Sequence, residues 1–401
     1  MEQENDQTTA GPTVRLLPKT DPRRVLRGFP WVYANEVVMD RRTKALAPGS
    51  IAVLEDTNRR PLARVAVNPS SKIAARVLDA DPEADIGEGW LKDRLSAALR
   101  HRERLYETPF YRLIHAEADG FPGVIIDRFG DVAAIQPNAA WAEVMFDQIV
   151  AALTSVTGVR TVVKNAGGRA RSLEGLDDVS SVVLGDLDAP IQVPMNGAIY
   201  LADLLAGQKT GLFFDQRANQ AMAARLAKGA RVLDVFSHVG GFGLAALAGG
   251  ADRALAVDGS EAALALATKG SEAMGVADRF DTCKGDAFKV MEALAAEGSD
   301  FDVVICDPPA FAPGKGALDA GLRAYQRVAR LGAALVAPGG YLVVCSCSHA
   351  VDLEKFRAAS IRGIGGRGAQ LIHTGFAGPD HPLHPALAES GYLKALFFRL
   401  S

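Results

Sequence analysis

The fold is decided by residues 232–243, VLDVFSHVGGFG, where an apolar strand runs directly into a glycine-rich turn. From this point onward, strand-like and helix-like segments alternate. The predicted strands are 231–236, 254–257, 280–284, 301–306, 341–347, 370–376 and 393–399, and the predicted helices are 241–249, 261–274, 287–297, 319–336 and 352–362. Such alternation is typical of βαβ units and predicts an α/β fold with a doubly wound, Rossmann-like sheet. Ligands of these sheets bind at the carboxyl ends of the strands.

Acidic residues recur at the ends of the first three predicted strands. Asp234 precedes the glycine turn and would suit a ligand that carries an ammonium group. Asp258 is placed to accept both ribose hydroxyls of a nucleoside, and Asp286 to contact an adenine amino group. Asp258 or Ser260, and likewise Asp286, could instead cap the helix that follows. The recurrence favours a nucleoside ligand, whereas the absence of G-x-G-x-x-G spacing makes a nicotinamide-dependent dehydrogenase the weakest interpretation.

The next two strands end in residues suited to chemistry on a nucleobase. Asp307 is followed by two prolines, which remove N–H donors and hold the nearby carbonyls rigidly. Asp307 can bond the edge of a base and Phe311 can stack on a flipped base, with a structural turn as the alternative. In the fifth strand, alternation puts Cys345 and Cys347 on one face. Cys345 lies deeper in the strand and is expected to be an apolar filler, whereas Cys347 reaches the ligand edge, where a thiolate would be nucleophilic. An inert buried thiol stays the alternative for Cys347.

A small basic module is predicted at residues 13–80. Its short strands, broken by turn residues, predict a β-barrel. Residues 13–78 carry 13 Lys/Arg against 5 Asp/Glu, although the whole chain has a net charge of −3. The stretch 27–33, RGFPWVY, sets aromatic rings among arginines, a combination that suits RNA. A solvated basic face, with Trp31 packed in the core, is the alternative.

The remaining divisions follow from composition and pattern. Residues 1–12 are polar and acidic and are predicted to be a disordered tail. An acidic stretch and an amphipathic helix make 81–106 a linker helix, and 107–195 is predicted to be a central α+β domain. Asn196-Gly197 predicts a type I′ hairpin turn, which needs positive φ at both residues. The catalytic domain is assigned to 196–401.

Composition excludes several classes of protein. Apolar residues make up 48% and charged residues 23% of the 401, as in ordinary globular proteins rather than disordered or fibrous ones. No apolar run is long enough for a transmembrane helix, and the N-terminus does not resemble a signal peptide. The four cysteines include no Cys-x-x-Cys pair, so no metal site is predicted, and a cytoplasmic protein with reduced thiols is expected.

These motifs resemble the motif series of class I S-adenosylmethionine-dependent methyltransferases. Two further stretches, GQKTGLFFDQR at 207–217 and ADGFPGVIIDR at 118–128, are similar to the bacterial large-subunit ribosomal RNA cytosine-C5 methyltransferases. In that family an RNA-binding PUA domain, a central α+β domain and the catalytic domain occur in this order. The resemblance therefore implies a PUA domain at 13–80, S-adenosylmethionine as cofactor and large-subunit ribosomal RNA as partner. It leaves a homodimer open.

The resemblance also implies roles for individual residues. Cys347 would be the nucleophile that attacks the base, and Asp307 would bond its N3/N4 edge. The expected cofactor-binding residues are Phe236, Gly240, Asp258, Ser260, Asp286, Ala287 and Asp307. The expected RNA-binding residues are Phe311, Lys209, Arg217, Arg27 and Trp31. The 209–217 segment is expected to wall the site, where Phe214 and Gln216 could touch cofactor or base and Lys209 and Arg217 could meet phosphate. The alternative is a latch between the central and catalytic domains.

Two other functions remain open from the sequence. Many RNA cytosine-C5 methyltransferases carry a second cysteine after the proline of their fourth motif, but here Pro309 occupies that place. The run DPPAF at 307–311 also resembles the fourth motif of amino-group methyltransferases, which points to methylation of a guanine or an exocyclic amine. The third interpretation is an inactive RNA-binding factor of ribosome assembly.

Overall fold

The computed structural model describes residues 11–207 and 210–401, which divide into two compact units. The first comprises the chain up to Asp186 together with His384–Ala386, and the second comprises Leu187–Leu383 and Leu387–Ser401. Nearly all of the tail predicted at residues 1–12 lies outside the described residues. Within the described ranges, no helix is both long and apolar enough to cross a membrane.

The first unit contains two five-stranded sheets. Its strands are β1 (Thr13–Arg15), β2 (Trp31–Tyr33), β3 (Ser50–Glu55), β4 (Pro61–Val67), β5 (Ile73–Asp79), β6 (Phe110–His115), β7 (Val124–Phe129), β8 (Val132–Pro137), β9 (Thr161–Lys164) and β10 (Ser181–Leu184). Its helices are α1 (Arg23–Leu26), α2 (Arg41–Lys44), α3 (Glu88–Glu103), α4 (Ala140–Val144), α5 (Phe146–Thr157) and α6 (Arg169–Glu174). The sheet orders are β1-β3-β4-β5-β2 and β10-β9-β8-β7-β6. The strand β2 was not expected from the sequence.

The segment predicted as a linker helix is packed into this unit. Leu91 and Leu95 of α3 are fully buried and share a core with Tyr111 of β6. The two sheets are also joined by a buried carboxylate, since Glu174 accepts hydrogen bonds from Ser71 Oγ at 2.7 Å and Arg76 Nη2 at 3.0 Å. Such shared burial makes the basic module and the central region one compact body.

The second unit is the predicted α/β fold. Its strands are β11 (Ile191–Met195), β12 (Ala198–Ala202), β13 (Arg231–Val235), β14 (Arg253–Asp258), β15 (Phe280–Lys284), β16 (Phe301–Cys306), β17 (Val336–Ser346), β18 (Ala369–Gly375) and β19 (Lys394–Leu400). Its helices are α7 (Arg217–Leu226), α8 (Gly241–Ala248), α9 (Glu261–Ala273), α10 (Ala287–Ala296), α11 (Leu318–Leu335) and α12 (Leu353–Ile364). The predicted strands and helices after residue 230 are all present, whereas α7 was not predicted.

The seven-stranded sheet has the order β15-β14-β13-β16-β17-β19-β18. Strands β13 to β17 are parallel, and β19 is antiparallel to both β17 and β18. Val235 is in register with Val257 on one side and Cys306 on the other, so the strand ends lie at one edge. From β13 the chain adds β14 and β15 on one side of the sheet and then β16 and β17 on the other, so the direction of winding reverses between β13 and β16. In doubly wound sheets this switch point opens a crevice for ligands.

A hairpin precedes the large sheet and supports its first turn. Asn196 and Gly197 have φ of 55° and 76°, as the predicted type I′ turn requires. The hairpin lies wholly in the second unit, whereas the sequence-based division at 195/196 cuts through it. Tyr200 of β12 is buried and donates a hydrogen bond to the Gly241 carbonyl at 3.0 Å. The hairpin thereby anchors the start of α8.

We expect Gly363→Ala to destabilise the second unit. A Cβ at Gly363 would lie 2.4 Å from the Gln326 carbonyl oxygen and 2.8 Å from Ala329 Cβ, so α12 would have to move away from α11. Overpacking of this kind costs about 1–3 kcal/mol. The matched control is Gly366→Ala, where a Cβ would meet nothing within 4 Å. Equal free energies of unfolding for both variants in urea titrations would contradict this account of the α11–α12 contact.

Candidate active site

A cavity of about 450 Å³ opens at the carboxyl ends of β13, β14, β16 and β17. Ligand pockets commonly fall within ~300–1,000 Å³. Among the wall residues predicted from the sequence, four end or follow strands of the large sheet, namely Phe236, Asp258, Asp307 and Cys347. The parallel register explains this convergence, because each of these residues directly follows or ends a strand of the same sheet edge.

The glycine turn is held from inside by Asp234. Its Oδ2 accepts hydrogen bonds from the backbone N–H groups of Phe242 at 3.1 Å and Gly243 at 2.8 Å, and the side chain is fully buried. The carboxyl therefore caps α8 and is not part of the cavity wall. This position differs from the one considered from the sequence, in which Asp234 would face an ammonium group of the ligand. Phe236 and His238 have positive φ of 64° and 51°, and this left-handed backbone turns the segment along the cavity.

Asp258 combines a structural and a ligand-facing role. Its Oδ2 accepts the His238 N–H and its Oδ1 accepts the Ser260 N–H, both at 2.8 Å. A carboxylate has about four lone-pair sites, so both oxygens can still accept further hydrogen bonds. The arrangement suits two neighbouring hydroxyl groups, as the sequence-based prediction of ribose binding requires.

Cys347 is the cysteine at the cavity wall. Its Sγ lies 3.9 Å from the Pro308 carbonyl oxygen, so the ends of β16 and β17 meet here. The neighbouring Cys345 and Cys306 have no exposed surface, and burial raises the pKa of both thiols. This separates one accessible thiol from two inert ones, and the positions of Cys345 and Cys347 along β17 are those expected from the sequence.

The turn that carries Cys347 is fixed by its two flanking serines. Ser348 Oγ accepts the Ala312 N–H at 3.1 Å and lies 2.7 Å from the Tyr325 hydroxyl. Ser346 Oγ in turn accepts the Ser348 N–H at 3.3 Å. Both serines are buried, so these bonds hold the backbone on either side of the cysteine.

A polar wall beside the glycine turn lies partly in the 209–217 segment that the sequence predicted to wall the site, whereas Gln220 was not predicted. It is formed by Asp215, Gln216 and Gln220 at the start of α7. Asp215 Oδ2 accepts a 2.6 Å hydrogen bond from the Tyr392 hydroxyl. Asp215 Oδ1 and Gln220 Oε1 are buried and have no hydrogen-bond partner among the described residues. The four-residue spacing of the two glutamines, one helical turn, is the sequence signal that could have revealed this face.

Four predicted cofactor ligands do not line the cavity. Gly240 underlies the turn at φ 79°, where a Cβ would meet Ala267 at 3.1 Å. Ser260 Oγ caps α9 through the Ala263 N–H, and Asp286 Oδ1 caps α10 through the Lys289 N–H. Ala287 is buried at the start of α10. The capping alternatives are thus realised for both polar residues, while cofactor contact by the four stays a prediction.

The predicted RNA-binding residues are distributed more widely. Phe311 is half-buried, with its ring centroid 5.0 Å from that of Tyr325. The Arg217 guanidinium lies 5.3 Å from the Phe214 ring centroid, and Phe214 itself is fully buried. Neither Phe311 nor Arg217 lines the cavity. Arg27 and Trp31 belong to the first unit, and Lys209 lies outside the described residues.

Comparison with known proteins identifies the family. The sequence profile of an S-adenosylmethionine-dependent methyltransferase family matches residues 175–399. The chain belongs to this methyltransferase family. A PUA-like domain profile matches residues 14–80.

Curated relatives match this methyltransferase over nearly its full length. It is 35% identical to a protein of Erwinia tasmaniensis named ribosomal RNA large subunit methyltransferase I, with 97% of this chain and 100% of the relative covered. A ribosomal RNA large subunit methyltransferase of Deinococcus radiodurans is 34% identical, with 98% of each chain covered.

Solved structures share the fold of this methyltransferase. A methyltransferase complexed with SAH has a TM-score of 0.81 at 21% identity and covers 97% of this chain and 99% of its own. A SAM-dependent methyltransferase of Streptococcus mutans has a TM-score of 0.80 at 20% identity, covering 97% of this chain and all of its own. At 20% and 21% identity, these two likenesses show a shared fold and nothing beyond it.

The cavity of this methyltransferase fits S-adenosylmethionine. Buried polar groups in its wall need partners: Ser237 Oγ, like the two unpaired oxygens of the α7 wall, makes no hydrogen bond within the described part of the chain. Leaving such groups unpaired costs about 1–3 kcal/mol each. A cofactor with amino, carboxylate and ribose groups supplies the missing partners. Asp258 would hold the ribose, and the α7 wall would hold polar groups of the methionine end.

The stability of this methyltransferase should fall as pH rises towards neutrality, because of Asp234. Burial raises the pKa of Asp234 from 3.8 to about 7, although the N–H groups of Gly243 and Phe242 oppose the shift. The folded protein therefore binds a proton that the unfolded chain has lost between these pH values, and each pKa unit is worth ~1.4 kcal/mol. Above about pH 7 the contribution is gone and the dependence levels off.

Asp234→Asn isolates this effect, because an amide oxygen still accepts the two N–H bonds but does not titrate. Free energies of unfolding are measured for both proteins from about pH 4 to about pH 8. The free energy of unfolding of the wild type, relative to that of Asp234→Asn, should fall as pH rises from about 4 to about 7. Parallel pH profiles would rule out protonation of this carboxyl in the folded state.

Proposed function

We propose that this methyltransferase modifies large-subunit ribosomal RNA at C5 of a cytosine. The relatives that match nearly the whole chain are named as large-subunit ribosomal RNA methyltransferases, which supports the substrate class. The observation that carries the choice of atom is the position of Cys347. Its thiol lines the same cavity as Asp307 and as Asp258, the residue proposed to hold the ribose.

The proposed chemistry uses Cys347 as a nucleophile. Cytosine C5 does not attack a methyl group unaided. When the thiolate adds to C6, an Sγ–C6 bond forms, the C5=C6 double bond opens, and C5 gains the electron density of an enamine. S-adenosylmethionine, when bound, supplies an electrophilic methyl group. The C5 proton is then removed, and the electrons of that bond restore the double bond as the thiolate leaves.

Asp307 has the complementary role at the edge of the base. Its backbone N–H bonds the Val235 carbonyl at 3.2 Å, and the following Pro308 is buried against the Cys347 turn. These contacts hold the backbone of Asp307 and Pro308 next to Cys347, where the proposal places the attack on the base. Hydrogen bonding to the N3/N4 edge would stabilise charge that develops in the ring during addition.

Methylation of a nitrogen is the second candidate function. The residues 307–310, DPPA, line the cavity and present rigid carbonyl groups. They could orient an amino group or ring nitrogen for direct attack on the methyl group by positioning alone. In that case the thiol of Cys347 would be dispensable.

Cys347→Ala should abolish methylation and leave S-adenosylmethionine binding intact, because the thiol acts on the base and not on the cofactor. The assay is methylation of deproteinised large-subunit RNA, followed by digestion and mass analysis of the nucleosides. Cofactor binding is followed by calorimetry. Cys283→Ala is the matched control, since this half-exposed thiol on β15 does not line the cavity and its loss should leave turnover unchanged.

The product distinguishes the candidates. Methylcytosine from the wild type, with none from the Cys347 variant, supports the covalent route. Methylguanine or methyladenine, or normal turnover by the Cys347 variant, would favour direct attack. A wild type that neither binds the cofactor nor methylates RNA would instead support the assembly-factor interpretation.

The basic module supplies a second RNA contact in the proposal. Arg27 is exposed, and the Arg24 guanidinium stacks 4.2 Å above the Phe29 ring centroid. Trp31 is half-buried and donates its indole N–H to Glu117 at 2.8 Å, so its position is fixed. Fixed aromatic faces beside guanidinium groups suit stacking and phosphate contact. We therefore propose that Arg27 and Trp31 bind RNA, as the sequence predicted.

Arg27→Ala should weaken RNA binding at every sequence tested and lower the salt slope of the binding constant by about one, as expected when one phosphate contact is lost. Binding is measured by fluorescence anisotropy over a salt series. Arg357→Ala, which removes an exposed arginine from α12 of the second unit, is the charge-matched control. An Arg27 variant with an unchanged slope would remove this residue from the interface.

A further inference from the structure

Lys394 is a buried cation that the proposed chemistry does not use. It begins β19 and is paired in register with Ser346, the residue before Cys347. Only 4% of its surface is exposed. Removing an ammonium group from water costs several kcal/mol unless it gains partners. An apolar side chain could fill this place in the sheet without that cost, so the charge itself needs an explanation.

The ammonium group closes the turn that follows Cys347. Its Nζ donates hydrogen bonds to the carbonyl oxygens of Ser348 at 2.8 Å and Val351 at 2.7 Å. These carbonyls lie at the two ends of the segment between β17 and α12. The lysine therefore holds the backbone after Cys347 at two carbonyl groups, in addition to the contacts made by the serine hydroxyls.

Lys394 lies close to Cys347, because it pairs with the residue before the cysteine and its Nζ bonds the carbonyl of the residue after it. Burial lowers the pKa of Lys394 to about 8, while negative charge at Cys347 and Asp352 raises it. At neutral pH the side chain is therefore mostly charged. A cation buried in a medium of low dielectric acts on a neighbouring thiolate more strongly than an exposed cation does.

Five other titratable groups lie around Cys347 in the part of the chain that the structure describes. Asp307, at the end of β16, carries negative charge that opposes a thiolate. Tyr325 of α11 and Cys345 of β17 have pKa values raised by burial and stay neutral. Asp352 caps α12, and its carboxylate is paired with exposed Lys355. His349 is exposed in the turn itself.

We propose that Lys394 is a positioning residue that holds the Cys347 turn and stabilises the thiolate form of Cys347 in the free enzyme. The proposal rests on the proposed role of Cys347 as nucleophile. The thiol proton passes to solvent through the open cavity, and Lys394 keeps its own proton and forms no covalent bond. Its effect is to raise the fraction of enzyme that is ready to attack the base.

The test measures thiolate formation directly. Full-length protein is treated with iodoacetamide over a pH series, and alkylation of the Cys347 peptide is followed by mass spectrometry, with the Cys283 peptide as internal reference. Lys394→Met removes the charge, and Lys394→Arg keeps it. Lys355→Met is the matched control, because it removes an exposed cation three residues into the neighbouring helix.

Lys394→Met should move the midpoint of Cys347 alkylation up by about one pH unit, which slows alkylation about tenfold at neutral pH. Lys394→Arg and Lys355→Met should keep the wild-type profile, and Cys283 should be unaffected throughout. A folded Lys394→Met protein with an unchanged midpoint would overturn the proposal. So would equal shifts in the Met and Arg variants, since these would show that shape and not charge is responsible.

Two further readouts keep the outcomes separate. If Lys394→Met does not fold, Lys394→Gln takes its place, because it also removes the charge but keeps an N–H donor for the two carbonyl groups; an unchanged midpoint in that variant would overturn the proposal. Alkylation requires neither RNA nor S-adenosylmethionine. A failure of the proposed cytosine chemistry therefore appears in the nucleoside products and leaves the alkylation result to be judged independently.

Discussion

The parallel register of β13 with its two neighbours is the constraint on which the site depends. Because Val235 is level with both Val257 and Cys306, the residues that follow these strands arrive at one edge of the sheet. Residues separated by more than a hundred positions in sequence thereby share one cavity. The hydrogen-bonded ladder, held by buried apolar side chains on both faces, determines where Asp258, Asp307 and Cys347 lie.

Burial divides the charged and reactive groups of the catalytic unit into different roles. Asp234 lies behind the turn and organises α8, whereas Asp258 lies in front of it and retains free lone pairs. Cys345 is sealed within the sheet, and Cys347, two residues later, borders open space. Two residues of the same type thus differ in chemistry because one is buried inside the unit and the other lies at the cavity.

The sequence predicted the catalytic fold well because period and turn chemistry are local properties. The strands and helices after residue 230, the Asn196-Gly197 turn and the accessible position of Cys347 could all be read from patterns a few residues long. The 209–217 segment was expected to wall the site, but the contact that holds Asp215 was not, because Asp215 meets Tyr392 only in the folded chain. Buried Lys394 was missed for the same reason, since its partners are carbonyl groups of a distant strand end. The capping roles of Ser260 and Asp286 were weighed beforehand, but only hydrogen-bond geometry identifies them.

The position of β19 between β17 and β18 has a consequence for biosynthesis. This inner strand is the last strand along the chain, yet it pairs with the strand that ends beside Cys347. A nascent polypeptide that has reached α12 already contains every side chain named in the proposed chemistry, but it lacks the partner that completes the interior of the sheet. The sheet around the reactive centre is therefore complete only once residues 394–400 have been translated, and a chain that stops at α12 carries the reactive residues without this partner strand.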